Sequence, residues 1–116
     1  MARFAVLNEN RDFLRLYKRG KSLVHPVLVT YLQKNRQGVT RVGITASKKV
    51  GGAVQRNRAK RLIRAAWREN GALVPPGYDI VFVARTRTVG CRMRQVSKAM
   101  AEQLKKLVPQ KEVGAT

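Results

Sequence analysis

Apolar residues recur every three or four positions in three stretches of the chain, and this spacing predicts three amphipathic helices. The first is expected over residues 10–19, with Asn10 as its N-cap and Gly20 at its end. Its apolar face is formed by Phe13, Leu16 and Tyr17. The last is expected over residues 94–108, and its face is formed by Val96, Ala99, Met100, Leu104, Leu107 and Val108. A flexible polar tail is expected over residues 109–116.

The middle helix, expected over residues 54–70, carries apolar and cationic residues on different sides. The apolar side is formed by Ala59, Leu62, Ile63 and Ala66, and the basic side by Lys60, Arg61, Arg64 and Arg68. Arg56, Asn57 and Arg58 are expected at the first turn or just before it, where free backbone N–H groups and the helix dipole favour phosphate. The pattern therefore indicates a helix with one face in a core and the other on a polyanion.

Runs of β-branched and aromatic residues predict the strands. Residues 27–32 and 39–46 are expected to pair as a hairpin through the polar stretch 33–38, and a short extended piece over residues 22–24 can precede it. Residues 78–84 are apolar on both faces, which indicates an interior strand. Helices and strands in this order predict an α+β domain.

Charge narrows the possible partners. The chain has 25 Lys and Arg against six Asp and Glu, a net charge of +19, and 44% of its 116 residues are hydrophobic. The hydrophobic content fits one folded domain, expected over residues 1–108, that displays this charge on a scaffold and needs an anionic partner. No apolar run approaches the roughly 20 residues that a membrane-spanning helix needs. Nucleic acid is therefore the expected partner, and not a membrane.

The sequence offers little for catalysis or metal binding by the protein itself. The six acids are scattered singly, without the paired spacing of a two-metal nuclease. His25 and Cys91 are the only residues of their types, too few for a structural zinc site. The lone cysteine is expected to be buried or incidental, and its presence fits a reducing compartment. The first residues of the chain are too weakly apolar for a secretory signal. We expect a cytoplasmic binding protein without a cofactor of its own.

Two sets of residues admit both a structural and a functional interpretation. The basic face of the middle helix could simply be solvated, but a solvated face normally mixes both signs of charge. Phosphate binding is therefore favoured there, with Lys48 and Lys49 extending the patch. The aromatic residues Phe13, Tyr17 and Tyr31 fit a core and a base-stacking surface equally well, and the pattern leaves both open.

Three segments together resemble the protein subunit of bacterial ribonuclease P. They are RVGITASKKVGGAVQRNRAKRLIRAAW at residues 41–67, with its Arg-Asn-Arg triplet intact, DFLRLYKRGKS at residues 12–22 and YDIVFVAR at residues 78–85. The resemblance implies a two-layer αβββαβα sandwich with a central mixed sheet and a left-handed βαβ crossover through the middle helix, like the second domain of a small-subunit ribosomal protein.

The resemblance also implies a function. In this family an RNA subunit with bound magnesium removes the 5′ leader of precursor tRNA, and the protein, monomeric on its own, binds both RNAs. By position, the implied contacts with the catalytic RNA are Lys48, Lys49, Arg56, Asn57, Arg58, Lys60, Arg61, Arg64 and Arg68. The implied leader contacts are Phe13, Tyr17, Tyr31 and Arg85. A ribosomal or other structural RNA-binding protein is the main alternative, and a self-sufficient ribonuclease is a further one.

Overall fold

The structure, a computed structural model, describes residues 4–109, which form five strands and three helices around one sheet. In chain order these are β1 (Phe4–Val6), α1 (Asn10–Arg19), β2 (Lys21–Val24), β3 (Leu28–Lys34), β4 (Thr40–Thr45), α2 (Ala53–Asn70), β5 (Tyr78–Ala84) and α3 (Met93–Leu107). Short 3-10 turns occupy Lys48–Val50, Gly71–Leu73 and Thr86–Gly90. All of the expected tail except Pro109 lies outside the described residues.

The sheet is mixed, as expected, but the predicted hairpin is wrong. The strand order is β1-β4-β5-β3-β2, so β5 lies between the two strands that were expected to pair. Ile80 of β5 is in register with Leu32 of β3 on one side, antiparallel, and with Val42 of β4 on the other, parallel. The physical reason is that β5 is apolar on both faces, and the centre of the sheet is where both faces are covered.

The connection β4-α2-β5 joins two neighbouring parallel strands, as the resemblance implied, and the handedness of that connection stays a prediction. The sheet has one strand that was not predicted. Residues Phe4–Val6 add β1 in parallel to the edge of β4, so a strand precedes the expected αβββαβα order. Three residues are too few for a recognisable alternating pattern.

Helices α2 and α3 cover one face of the sheet, and α1 covers part of the other. Because side chains alternate along a strand, Ile80 and Phe82 of β5 face the main core under α2 and α3. Val81 faces the opposite side and packs with Leu16 of α1 and with Leu7. The candidate site lies on the uncovered part of this second face and along the adjoining edge of β4.

The predicted helix boundaries agree with the structure to within one residue, with one difference in capping. Asn10 is the first helical residue of α1, and Glu9 is in the cap position. The Glu9 side chain accepts a hydrogen bond from Nε of Arg11 at 2.8 Å and does not cap the helix. Gly20 ends α1 as expected, and its N–H donates to the carbonyl oxygen of Leu16.

A buried carboxylate on β5 ties α1 to the sheet. Asp79 is fully buried and accepts two hydrogen bonds from Arg41 of β4, from Nε at 2.8 Å and from Nη2 at 2.7 Å. Arg15 of α1 donates to the same carboxylate at 2.7 Å, and Asn35 donates at 2.8 Å. Asp12 lies 3.2 Å from Arg15, so two arginines and two aspartates form a cluster without net charge. We call these five residues the Asp79 cluster.

The hydrogen bonds of this cluster change the acidity of its central carboxyl group. Burial alone would raise the pKa of Asp79, but hydrogen bonds from Arg41, Arg15 and Asn35 and the charge of Arg41 together lower it below the ordinary value. The hydrogen bond to Asp79 raises the pKa of Arg41. Because the carboxyl ionises more readily in the folded chain, it stabilises the fold above the ordinary carboxyl pKa of about 4. This stability is lost as the pH falls through the lower folded pKa.

We predict that Asp79→Ala lowers the free energy of unfolding by about 3–5 kcal/mol, because it leaves two guanidinium groups without their shared partner. Urea unfolding at neutral pH measures this loss. Glu9→Ala is the matched control, since its ion pair with Arg11 is exposed and contributes less than about 1 kcal/mol. Equal losses in the two variants would contradict the anchoring role. Asp79→Asn should also flatten the fall in stability below pH 4.

Candidate nucleic-acid interface

A groove opens along the edge of β4 because β1 covers only the first half of that edge. The register of β1 with β4 ends at Val42, and Gly43–Thr45 continue beyond it. A cavity of about 610 Å³ lies there. Its lining combines apolar side chains, among them Val42, Ile44 and Trp67, with cationic side chains of α2, namely Lys60, Arg64 and Arg68.

A second cavity of about 420 Å³ continues the first along the sheet. It is lined by Tyr17, Tyr31, Thr45, Ala46, Ser47 and Val83, and Thr45 and Ala46 line both cavities. The two cavities therefore form one continuous surface, which we call the β4 groove. The two tyrosines lie at one end of it, and the cations lie at the other together with Phe13 and Trp67.

The aromatic residues predicted from the sequence occupy this groove in different ways. Tyr17 is 40% exposed, and its ring meets that of Tyr31 edge-on with centroids 4.9 Å apart. Phe13 is half-buried and lines the larger cavity. Leu16 is the fully buried member of the α1 stripe. Phe13 and Tyr31 pack against the small core of Leu7, Leu16 and Val81, as the structural interpretation expects, whereas the ring of Tyr17 is partly open to solvent.

Phe13 reaches the sheet because β4 has no side chain at Gly43. A Cβ atom at Gly43 would overlap the Phe13 ring and would lie 2.8 Å from the carbonyl oxygen of Leu7. The glycine thus sets how closely α1 approaches the strand, and with it the depth of the groove.

The basic helix divides as its sequence pattern predicted. Ala59, Ile63, Ala66 and Trp67 are buried, and Leu62 is half-buried. Arg61, Arg64 and Arg68 are exposed, and Lys60 is half-buried. The spacing of four residues places Lys60, Arg64 and Arg68 on one side of α2, where they line the β4 groove. Arg61 lies outside that lining.

The predicted position of the Arg-Asn-Arg triplet is wrong for Asn57 and Arg58. Helix α2 begins at Ala53, and the N–H of Arg56 already donates to the carbonyl oxygen of Gly52 at 3.0 Å. Asn57 and Arg58 lie in the second turn. The helix starts early because Gly51, with φ of 142°, turns the chain just ahead of it. None of the three residues therefore has a free backbone N–H group, and only their side chains are available for contacts.

The triplet side chains have distinct surroundings. Asn57 and Arg58 are exposed, and Nε of Arg58 donates to the carbonyl oxygen of Val89 at 3.0 Å. Arg56 is half-buried, and its Nε has no hydrogen-bond partner among residues 4–109. Arg58 thus connects α2 to the Thr86–Gly90 turn as well as facing solvent.

The other predicted site residues lie near the ends of strands. Lys48 and Lys49 are exposed on the Lys48–Val50 turn, which packs against the Thr86–Gly90 turn. Arg85 follows β5, and its Nη1 donates to the carbonyl oxygen of His25 at 3.2 Å. Arg85 is not among the residues that line the β4 groove, and its contact with a leader stays a prediction.

The histidine and the cysteine have structural surroundings. Nδ1 of His25 accepts a hydrogen bond from the N–H of Val27 at 3.1 Å, and the Cys91 thiol is buried, as expected. Among residues 4–109, His, Cys, Asp and Glu side chains form no group that could hold a metal ion. Within the same range, no helix has the length and apolar character needed to cross a membrane.

Two features of the site were missed by sequence reasoning. Helical spacing showed which cations share a face of α2, but not that this face borders the same groove as Phe13. Asp79 was noted only as one of the scattered acids, although an acid inside an otherwise apolar strand was a signal that it had a buried partner.

The fold and the groove define a class of protein, a small and strongly basic α+β domain. Aromatic rings and a cationic helix border its β4 groove, as in proteins that bind single-stranded nucleic acid. A family model described as Ribonuclease P matches residues 1–108. The chain belongs to the ribonuclease P protein family, as its sequence motifs indicated, and is thus a protein component of the tRNA-processing ribonuclease P holoenzyme.

Individual relatives agree with this assignment. The ribonuclease P protein component of Clostridioides difficile is 43% identical over 101 residues, which cover 86% of this chain and 89% of that protein. The ribonuclease P protein of Thermotoga maritima has a similar structure, with a TM-score of 0.78 and 33% identity over 89% of this chain and 97% of that one. The ribonuclease P protein of Staphylococcus aureus is also similar, with a TM-score of 0.75 and 31% identity over 90% of this chain and 97% of that one. The predicted α+β fold is confirmed.

We predict that Gly43→Ala destabilises the fold by about 1–3 kcal/mol, because the added methyl group forces the Phe13 ring away from β4. Thermal or urea unfolding measures the loss. Gly90→Ala is the matched control, since a Cβ there meets no atom within 4 Å, and its effect should stay below about 1 kcal/mol. A Gly43→Ala protein as stable as the control would show that the close approach of Phe13 to the strand is not required.

Proposed function

We propose that this chain binds the catalytic RNA of ribonuclease P through α2 and holds the 5′ leader of precursor tRNA in the β4 groove, so that the holoenzyme removes the leader efficiently. The observation that carries the proposal is the composition of the groove. One continuous surface offers the exposed ring of Tyr17 and the cations Lys60 and Arg64.

The groove suits a single strand of RNA. Bases of an unpaired strand can stack on aromatic rings, at about 1–3 kcal/mol per base, without any requirement for a particular sequence. The edge-on pair of Tyr17 and Tyr31 provides such rings. Lys60, Arg64 and Arg68, which the resemblance implied for the catalytic RNA, line the groove and in this proposal neutralise the leader phosphates that follow. Phe13 lines the same larger cavity from the α1 side.

The outward side of α2 suits the catalytic RNA. Arg61, Asn57 and Arg58 are exposed outside the lining of the groove, and Lys48 and Lys49 are exposed on the neighbouring turn. In this arrangement α2 lies between two polyanions and reduces the repulsion between them. Affinity should therefore be strongly salt-dependent, and less magnesium should be needed to bring the RNAs together.

Among residues 4–109, Glu9, Asp12, Glu69 and Asp79 are engaged in contacts within the fold, and Glu102 is exposed. Asp79 and Asp12 are paired with Arg15 and Arg41, and Glu69 accepts a hydrogen bond from Ser97 at 2.7 Å. This supports placing the catalytic groups and the magnesium ions on the RNA subunit. The chain would act in the cytoplasm as a monomeric protein that assembles with its RNA.

The test is to map the 5′ end produced from a precursor tRNA in low magnesium, with the cognate ribonuclease P RNA, the protein, or both. We expect cleavage at the mature 5′ end only when both are present. Tight RNA binding without any stimulation would instead favour a ribosomal or other structural RNA-binding protein. Cleavage by RNA-free protein alone would favour a self-sufficient nuclease.

We predict that Tyr17→Ala weakens holoenzyme binding of a precursor with a leader by roughly 5- to 150-fold, the loss of one stacked base, and leaves affinity for leaderless tRNA unchanged. Equilibrium binding of the two substrates in calcium, which slows cleavage, measures the difference. Leu14→Ala is the matched control, because Leu14 is 56% exposed on the same helix but does not line the groove. An equal loss for both substrates would remove Tyr17 from the leader contact.

A further inference from the structure

A second group of arginines lies beside the triplet and has no role in the function proposed above. Residues 80–101 contain five Lys and Arg and no Asp or Glu. Three of these cations are exposed around one bend of the chain: Arg87 in the Thr86–Gly90 turn, and Arg92 and Arg94 at the start of α3. We call Arg87, Arg92 and Arg94 the second arginine cluster.

The backbone that carries this cluster is fixed in place. Thr88 is fully buried; its hydroxyl donates to the carbonyl oxygen of Val27 and accepts a hydrogen bond from the N–H of Arg85. The thiol of Cys91 donates to the carbonyl oxygen of Arg87 at 3.3 Å. A turn held at these points loses little backbone freedom when its side chains bind a ligand, so it is preorganised for binding.

The cluster is continuous with the triplet of α2. Nε of Arg58 donates to the carbonyl oxygen of Val89, in the middle of the Thr86–Gly90 turn. A guanidinium group has several N–H donors, and this contact uses one of them, so Arg58 can bind the turn and a phosphate together. The Lys48–Val50 turn also packs against this turn. Segments that carry exposed cations of three elements are therefore in direct contact.

The acid of α2 that reaches α3 is bonded elsewhere, because Glu69 accepts a hydrogen bond from Ser97, three residues beyond Arg94. Among residues 4–109, none of the three arginines takes part in a salt bridge. The acids that are closest along the chain are engaged or distant: Asp79 is buried in its own cluster, and Glu102 lies two turns beyond Arg94. Like charges held together on a rigid surface are favourable only when an anion lies against them.

We propose that the second arginine cluster binds phosphates of the catalytic RNA, and that it extends the contact of α2 across the Thr86–Gly90 turn to the start of α3. This proposal rests on the proposed function. The cluster does not line the β4 groove, and it connects to α2 through Arg58, which itself lies outside that groove. The occupant is therefore the catalytic RNA and not the leader.

The test compares two double variants that remove the same charge. Arg87→Ala/Arg94→Ala removes two cations of the cluster. Arg36→Ala/Lys106→Ala removes two exposed cations elsewhere: Arg36 follows Asn35, which pairs with Gly77 at the opposite end of β5, and Lys106 is at the far end of α3. Affinity for the cognate catalytic RNA is measured by filter binding over a range of salt concentrations. Thermal unfolding of both variants checks that the fold is intact.

We expect the cluster variant to bind the catalytic RNA about tenfold more weakly in moderate salt. The slope of log affinity against log salt should be shallower by about 1.8, because each lost phosphate contact reduces the slope by about 0.9. The control variant should lose far less. Unchanged binding by the cluster variant, or equal weakening of both variants, would overturn the proposal. A loss that appears only with leader-bearing substrate would also overturn it.

This titration, run beside the 5′-end mapping of precursor cleavage, separates this proposal from the proposed function. If the unmodified protein neither binds the catalytic RNA nor stimulates cleavage, the proposed function fails. If the unmodified protein does both and the cluster variant matches it, only the role of the cluster fails.

Discussion

Two guanidinium groups, one from α1 and one from β4, share a single buried carboxylate, and the β4 groove exists in its present form because of that contact. Arg15 holds α1 to Asp79, and Arg41 holds β4 to the same group. The apolar contact between α1 and the sheet is small, since only Leu7, Leu16 and Val81 form its buried part. The charged cluster therefore supplies the second attachment that keeps Phe13 and Tyr17 over the strands.

The core that holds the fold together and the side chains that are proposed to bind RNA lie in different parts of the structure. The side of the sheet under α2 and α3 contains the main core, so exposed positions of α2 can be cationic without weakening the fold. The other side is only partly covered, and there Tyr17 and Tyr31 line a cavity that adjoins, at the edge of β4, the cavity lined by cations of α2. In the proposed function, a protein of this size presents two RNA-binding surfaces on one domain. The chemistry is left to the RNA partner, as the family assignment implies.

The local hydrophobic pattern was enough to predict the helices and the central strand. Buried residues such as Ile63, Ala66 and Phe82 belong to runs in which apolar residues recur at the spacing of a helix or a strand. Strand pairing was not predictable in the same way. The pairing of β3 and β4 with β5 depends on residues 38 to 56 positions apart, and only the burial of both faces of β5 decides it. The partners of Asp79 and the groove shared by Phe13 and Arg64 are likewise non-local, whereas the Arg-Asn-Arg triplet was recognisable from its neighbours alone.

The central claim is that the β4 groove holds the leader, and site-specific photo-crosslinking tests it most directly. A photo-reactive phenylalanine analogue would replace Tyr17 in the reconstituted holoenzyme bound to a precursor tRNA, and the crosslinked nucleotides would be mapped. The account predicts crosslinks to leader nucleotides from position 17 and none from the same probe at position 14. Crosslinks from position 17 to the catalytic RNA or to mature tRNA, with none to the leader, would contradict it.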